Sequence, residues 1–259
     1  MNASPLATQH VFGLDFVSDA TVDTVALHLE LDMARRERPW RCVVTPNVDH
    51  LVRYRRNPVE WEVARHAFVV LPDGMPIVWA SRLVGRPLRS RLTGTDLFTT
   101  MWPTLAERSI PTVVVSPDDA VAAGLARGHH ELTCIVAPMF QVDDSVVVAQ
   151  LVDAIVEAVD RRSARFVFIG ISATKACILA SQLRTRWSEP GATGPIVLLL
   201  GAAPEFFLGH APRAPRWMQR AGLEWLHRLA HEPVRLARRY LVDDVRFLGL
   251  VWREWRRSR

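Results

Sequence analysis

At 259 residues, with 49% hydrophobic and 23% charged side chains, the chain has the composition of a globular protein with a large core, not of a disordered or fibrous one. Its three cysteines, Cys42, Cys134 and Cys177, are scattered, which excludes a disulfide framework and a metal-ligand spacing, and no apolar run reaches the about 18 residues that a membrane span needs. The formal charge of +5 is uneven: residues 213–259 hold twelve arginines against five carboxylates, a balance of +7 that leaves −2 for the rest, so the basic character belongs to the tail.

The N-terminus lacks a basic segment followed by an apolar run, so no signal peptide is expected. A helical pattern over 22–36 leads into RCVVT (41–45), the first short apolar run of buried-strand type. A helix over 58–65, the strand FVVL (68–71), a PDG turn and a helix over 75–83 follow. A loop carrying Arg86 and Arg89 then leads through RLTGTD (91–96) into a capped helix. TVVVS (112–116), TCIVA (133–137), RFVFIGI (165–171) and IVLLL (196–200) are further strands, with helices over 145–161 and 173–186 and the loop SEPGATGP (188–195) between them. This βα alternation, with strands apolar throughout, predicts an α/β fold: a Rossmann-like, mostly parallel sheet with helices on both faces. After Gly209 the pattern becomes helical and rich in Arg and Trp, which divides the chain into a core over 1–209 and a basic helical appendage over 210–259.

Three motifs fall where a doubly wound sheet binds ligands, at the carboxyl ends of strands. TPNVDH (45–50) follows a strand directly; Asn47 can cap a helix, and Thr45 and Asn47 can hydrogen-bond a sugar or phosphate. In PDG (72–74), a turn accounts for Pro72 and Gly74 but is indifferent to Asp73, whereas a general base requires a carboxylate. In RLTGTD, Thr93, Thr95 or Asp96 can cap the following helix, whose first N–H groups, with Arg91, can cradle a diphosphate. A dinucleotide-dependent oxidoreductase needs a Gly-rich βα turn after an early strand, and the sequence has none.

TPN, LPDG with the following VWASRL, and RLTGTDL together resemble the WecG/TagA/CpsF glycosyltransferases, glycosyltransferase family 26, in order and spacing. The resemblance resumes in RAPRWMQRAGLEWLHRL (213–229) and EPVRLARRYL (232–241) and covers most of the chain. It implies an inverting, metal-independent and cofactor-free transfer of a sugar from a nucleotide diphosphate donor to a polyprenyl diphosphate-linked saccharide. The donor implied is UDP-N-acetylmannosamine or a related UDP-hexose or uronic acid, and the pathway is cell-surface or secreted polysaccharide synthesis. By position, the resemblance makes Asp73 the general base and puts Thr45 and Asn47 in the substrate pocket. It puts Arg91 near the reacting sugar, with Thr93, Gly94 and Asp96 beside it. Arg228, Arg235 and Arg238 match arginines for the acceptor's diphosphate, and Gly170 and Lys175 match the donor side. Two segments depart from the family pattern. A Gly-Gly turn after the fourth strand is replaced by VVVSPDDAV (113–121), whose Asp118 and Asp119 would repel a diphosphate at close range. A Gly-x-Gly-x-Pro-Lys-Gln-Glu run reads GISATKAC (170–177), with Ala176 and Cys177 in place of Gln and Glu.

Ala237, Leu241, Val245, Leu248, Trp252 and Trp255 recur at helical spacing as one apolar stripe flanked by arginines, which suits a membrane interface, a helix packed on the core or a dimer contact. A membrane-dissolved acceptor favours the first, with the protein cytoplasmic and peripheral on the inner face of the bacterial cell membrane. No nucleic-acid motif accompanies the stripe, and homo-oligomerisation is left open. The two departures also motivate an alternative, a non-catalytic relative that binds a lipid-linked saccharide or scaffolds a glycan assembly complex.

Overall fold

The computed structural model describes residues 5–33, 40–188, 194–212, 214–215, 217–218, 223–231 and 245–258. Among these, eight strands form one sheet in the order β1-β2-β4-β3-β8-β7-β5-β6, parallel except for the β1–β2 hairpin. The strands are β1 (Thr8–Val11), β2 (Leu14–Val17), β3 (Arg41–Val44), β4 (Val69–Val70), β5 (Thr112–Ser116), β6 (Leu132–Val136), β7 (Phe166–Ile169) and β8 (Ile196–Leu199). The helices are α1 (Val22–Met33), α2 (Val48–Tyr54), α3 (Pro58–Arg65), α4 (Met75–Leu83), α5 (Gly94–Glu107), α6 (Asp119–Ala126), α7 (Ser145–Arg162), α8 (Ala173–Trp187) and α9 (Ala203–Phe207), followed by Glu224–His231 and Val245–Arg257 in the tail.

Alternate strand residues feed two separate cores. Cys42, Val44, Val113, Val115, Val167, Ile169, Val197 and Leu199 face one layer, which contains α2, α3, α7, α8 and the helix Val245–Arg257. Val43, Val114, Phe166, Phe168, Ile196 and Leu198 face the other, with α1, α5, α6 and α9. This two-sided burial explains the unbroken apolar runs of the sequence and bears out the α/β reading. β3 pairs with β4 on one side and β8 on the other, so the two halves of the sheet meet between β3 and β8. A crevice opens beyond the carboxyl ends of strands at such a junction.

The hairpin, like α6 and α9, is an element that the sequence patterns did not reveal. Val11 pairs with Leu14 across a two-residue loop in which Phe12 (φ 56°) and Gly13 (φ 85°) both have positive φ, as a type I′ turn requires. Phe12 is not a usual turn residue; it is held by burial and by the ring of Phe247, 5.4 Å away. Phe247 belongs to the tail helix, which buries Phe247, Leu250 and Val251 against the core. The same helix leaves Val245, Leu248 and Trp252 exposed. The outer half of the expected stripe is therefore present in Val245, Leu248 and Trp252, while Ala237 and Leu241 lie outside the described residues.

A Cβ on Gly13 would lie 2.9 Å from Cη2 of the Trp61 ring. Gly13→Ala is expected to cost about 1–3 kcal/mol through this overlap and the positive φ. Denaturant unfolding checks this, and an unchanged midpoint would contradict it.

Candidate active site

A cavity of about 540 Å³ lies at the carboxyl ends of β3, β5, β6, β7 and β8. Thr45 and Asn47 line it where the chain leaves β3, and Asp73 lines it beyond β4. The Asp73 N–H donates to Pro46 O and the Leu92 N–H to Pro72 O, both at 3.0 Å, so the PDG turn is fixed to the β3 exit on one side and to the RLTGTD loop on the other. Gly74, at φ 145°, takes the N-cap position of α4. The turn thus needs its glycine, whereas Asp73 is not the cap of α4 and lines the cavity.

Asn47 serves two purposes. Its side chain accepts the His50 N–H at 3.1 Å, and its own N–H donates to His50 Nδ1 at 3.0 Å, closing a capping box at the start of α2. It also lines the cavity, as does Thr45. The helix that this box starts presents Asp49 and Arg53, one turn apart, to the same cavity.

Behind Arg53 lies Glu60 of α3, 1% exposed. It accepts from Arg53 Nε (3.2 Å) and Nη2 (2.7 Å), from Asn57 Nδ2 (3.0 Å) and from Thr174 Oγ1 (2.8 Å). Arg53 Nη1 donates to Asp49 at 3.1 Å. Burial works against the Arg53 charge, but the hydrogen bonds and charge of Glu60, aided by Asp49, outweigh it and raise the pKa above the usual arginine value. Thr174 belongs to the divergent GISATKAC segment, which opens α8. In that segment Gly170, Lys175, Ala176 and Cys177 line the cavity. Lys175 Nζ lies 4.4 Å from the centroid of the Phe140 ring. Burial, then the Glu60 charge, push the Cys177 thiol up to about 12, so it is a neutral wall group and not a nucleophile.

The RLTGTD segment is arranged differently from a simple anion cradle. Thr93 caps α5 by accepting the Asp96 N–H at 3.0 Å. A Cβ on Gly94 would stand 3.2 Å from Thr45 Oγ1 and 3.3 Å from Leu200 Cδ2; the glycine lets the first turn of α5 approach the ends of β3 and β8 closely. Of residues 91–96, Thr95 lines the cavity; Arg91, Thr93, Gly94 and Asp96 do not. Arg91 instead reaches Glu224 at 2.6 Å and Asp96 at 3.9 Å, tying the tail helix Glu224–His231 to the loop. Arg228 is on that helix, and Arg235 and Arg238 lie outside the described residues.

Asp118 caps α6 through the Val121 N–H at 2.8 Å, and neither Asp118 nor Asp119 lines the cavity, although the preceding Pro117 does. The carboxylate of that region that does enter the wall is Glu205 of α9. Burial and then the charge of Asp118 raise its pKa, against the opposing effect of His210. Sequence reasoning missed Glu205 and Glu60, whose significance depends on contacts across the fold. Asp49 and Arg53 were within reach, since an i,i+4 pair follows the TPN motif directly. Among the described residues no group of three or more His, Cys, Asp or Glu side chains could hold a metal ion.

Comparison with known proteins gives the family of the chain. The model of the glycosyl transferase WecG/TagA/CpsF family matches residues 9–259. The chain is 26% identical over 234 residues, 90% of its length and 87% of the relative's, to an N-acetylglucosaminyldiphosphoundecaprenol N-acetyl-beta-D-mannosaminyltransferase of Bacillus spizizenii. It is 25% identical over 182 residues, 69% of its length and 66% of the relative's, to a Bacillus subtilis protein of the same name.

The raised pKa of Glu205 means that folding penalises its ionised form: the stability of the protonated state is full below the ordinary carboxylate range and is lost as pH rises through the folded value. Glu205→Gln is therefore expected to raise the melting temperature at neutral pH, with the gain shrinking as pH falls into the ordinary carboxylate range. A gain that grows on acidification would contradict the assignment.

Proposed function

Because the chain belongs to the WecG/TagA/CpsF glycosyltransferase family, we propose that it transfers a sugar from a uridine diphosphate donor to a polyprenyl diphosphate-linked saccharide. N-acetylmannosamine, the sugar named in its relatives, is the leading donor group. The observation that carries this reading is that Asp73 lines the cavity, with Thr45 and Asn47 on its β3 side and Lys175 across the sheet junction.

In this mechanism Asp73 takes the proton from the acceptor hydroxyl as that oxygen attacks the donor's anomeric carbon from the face opposite the leaving group, inverting the centre. The bond to the nucleotide diphosphate breaks with the electron pair leaving on the phosphate oxygen. Lys175 and the N–H groups that open α8 after Gly170 offset the charge that develops there, without a metal ion. On the acceptor side, the Arg91–Glu224 pair holds the helix Glu224–His231 against the RLTGTD loop, and the arginines proposed for the acceptor's diphosphate are Arg228, Arg235 and Arg238.

The lipid acceptor also gives the exposed face of the tail helix a role. Leu248 and Trp252 are 65% and 51% exposed, Arg256 lies over the Trp252 ring at 4.8 Å, and Arg246 and Arg253 lie on the same helix. Such a face sits at headgroup depth on an anionic leaflet, where each arginine contributes about 1 kcal/mol. No described helix is long and apolar enough to cross a membrane; the association proposed for this face is peripheral, on the cytoplasmic side.

Asp73→Asn is expected to lower turnover by about 10²–10⁴ in the folded variant; unchanged turnover with any accepted donor sinks the assignment. For the tail, Leu248→Gln combined with Trp252→Gln is expected to abolish flotation with vesicles of anionic phospholipid, because it removes the outer face and leaves Phe247, Leu250 and Val251 in the core. Equal flotation of the two proteins rejects the membrane role.

A further inference from the structure

From Gly74 to Thr95 the chain holds four arginines, Arg82, Arg86, Arg89 and Arg91, and no carboxylate. α4 forms the first part of this stretch. It buries Ile77, Val78, Ala80 and Ser81 and leaves Trp79 and Leu83, one turn apart on one face, 47% and 69% exposed. The loop that follows is clamped to the helix. Ser81 Oγ donates to Val78 O at 2.7 Å and accepts the Leu88 N–H at 3.0 Å. The Arg86 N–H donates to Ser81 O at 2.8 Å, and Arg82 Nη2 donates to Arg89 O at 3.0 Å. With Val84 and Leu88 buried, the loop is fixed at the end of α4 that carries Leu83.

Charge and place decide what this face can receive. Arg91 is paired with Glu224 and Asp96, and Arg89 stands 3.2 Å from Asp19. Among the described residues Arg82 and Arg86 have no carboxylate partner, so the surroundings of Trp79 and Leu83 carry an excess of positive charge. A two-fold contact through this face would bring the same arginines of two copies together, which like-charge repulsion opposes. An anionic leaflet matches the charge and accepts Trp at headgroup depth with Leu below it. The position relative to the site fits the same partner. Gly74, the residue after Asp73, is the N-cap of α4. At a rise of 1.5 Å per residue, Trp79 and Leu83 stand about 6 Å and about 12 Å along the axis from Met75. A bilayer touching this face therefore lies close to the turn that holds the proposed base, where a membrane-dissolved acceptor must deliver its hydroxyl.

We propose that α4 and the loop after it, through Trp79, Leu83, Arg82 and Arg86, form a second lipid-contacting surface that seats the Asp73 turn against an anionic bilayer. This inference rests on the peripheral membrane reading and adds a contact outside the tail, next to the site itself.

The test is titration of the full-length protein with vesicles of phosphatidylglycerol and phosphatidylcholine, or of phosphatidylcholine alone, read by co-sedimentation and by a nitrobenzoxadiazole label on Leu83→Cys. The three native thiols are buried or half-buried and raised in pKa by burial, so the label goes to position 83. The label is expected to brighten and shift to the blue with the anionic vesicles and to stay unchanged with phosphatidylcholine alone. Trp79→Gln combined with Leu83→Gln is expected to weaken binding to anionic vesicles about tenfold or more, and Arg86→Gln about fivefold. An unchanged label on vesicle-bound protein, or unaltered affinity in the folded double variant, overturns the α4 contact and leaves the tail contact standing. A lipid-free dimer that light scattering detects and the double variant dissociates makes this face a contact between copies, and overturns it likewise. Failure of the wild type to sediment with anionic vesicles overturns the membrane reading and the α4 contact with it, while the role of Asp73 is decided separately by the turnover of Asp73→Asn.

Discussion

β3, β7 and β8 are buried along their full length, and their residues alternate between two helical layers. A strand covered on both faces has no side on which to place polar chemistry, so that chemistry collects beyond its ends. Parallel pairing then aligns all the carboxyl ends on one edge, and the β3–β8 junction opens the crevice there. Thr45, Asn47, Asp73, Gly170 and Lys175, far apart in the chain, line one cavity because each closely follows a buried strand. The same constraint explains Gly94: the start of α5 must pass so close to Thr45 and Leu200 that a Cβ would press on both.

Glu60 is the second point on which the arrangement turns. A carboxylate at 1% exposure is costly unless its lone pairs are filled, and here four hydrogen bonds from three residues fill them. Loss of one partner from such a group typically costs about 3–5 kcal/mol, whereas surface pairs such as Arg186–Asp153 contribute little. The cluster therefore locks α2, α3 and α8 in mutual register at the cavity wall, and the shape of the site and the stability of that layer have a common physical origin. Tyr54 and Cys177, whose pKa values burial raises first, are neutral members of the same wall.

The tail shows how one helix can serve two environments. Phe247, Leu250 and Val251 complete the core beneath the hairpin, while Val245, Leu248 and Trp252 face outward. The sequence stripe through Val245, Leu248, Trp252 and Trp255 followed the outward set, with Trp255 packed partly against the core. The docked set follows a second, interleaved period that a single-stripe reading overlooks. Phe12, at positive φ, is explained by the same contact: its ring completes the seat of Phe247.

Strand type, helix alternation and the sheet's polarity were legible in the chain because buried parallel strands must be apolar throughout and helices must repeat every three or four residues. Asp73, Thr45 and Asn47 were legible for the related reason that polar residues placed just after such strands reach the ligand edge. The hairpin was not, because its turn uses Phe12, whose conformation a tail helix over 200 residues away supports. Nor was the position of Arg91, which a salt bridge to Glu224 draws out of the cavity lining, or the role of Glu60, which Thr174 helps to hold. The sequence by itself thus determined the architecture and the edge on which chemistry occurs, since both depend on local periodicity and on the cost of burying polar groups. Which charges face the cavity and which are neutralised behind it was decided only by the tertiary structure, because an ion pair depends on distances between residues that the chain order leaves far apart.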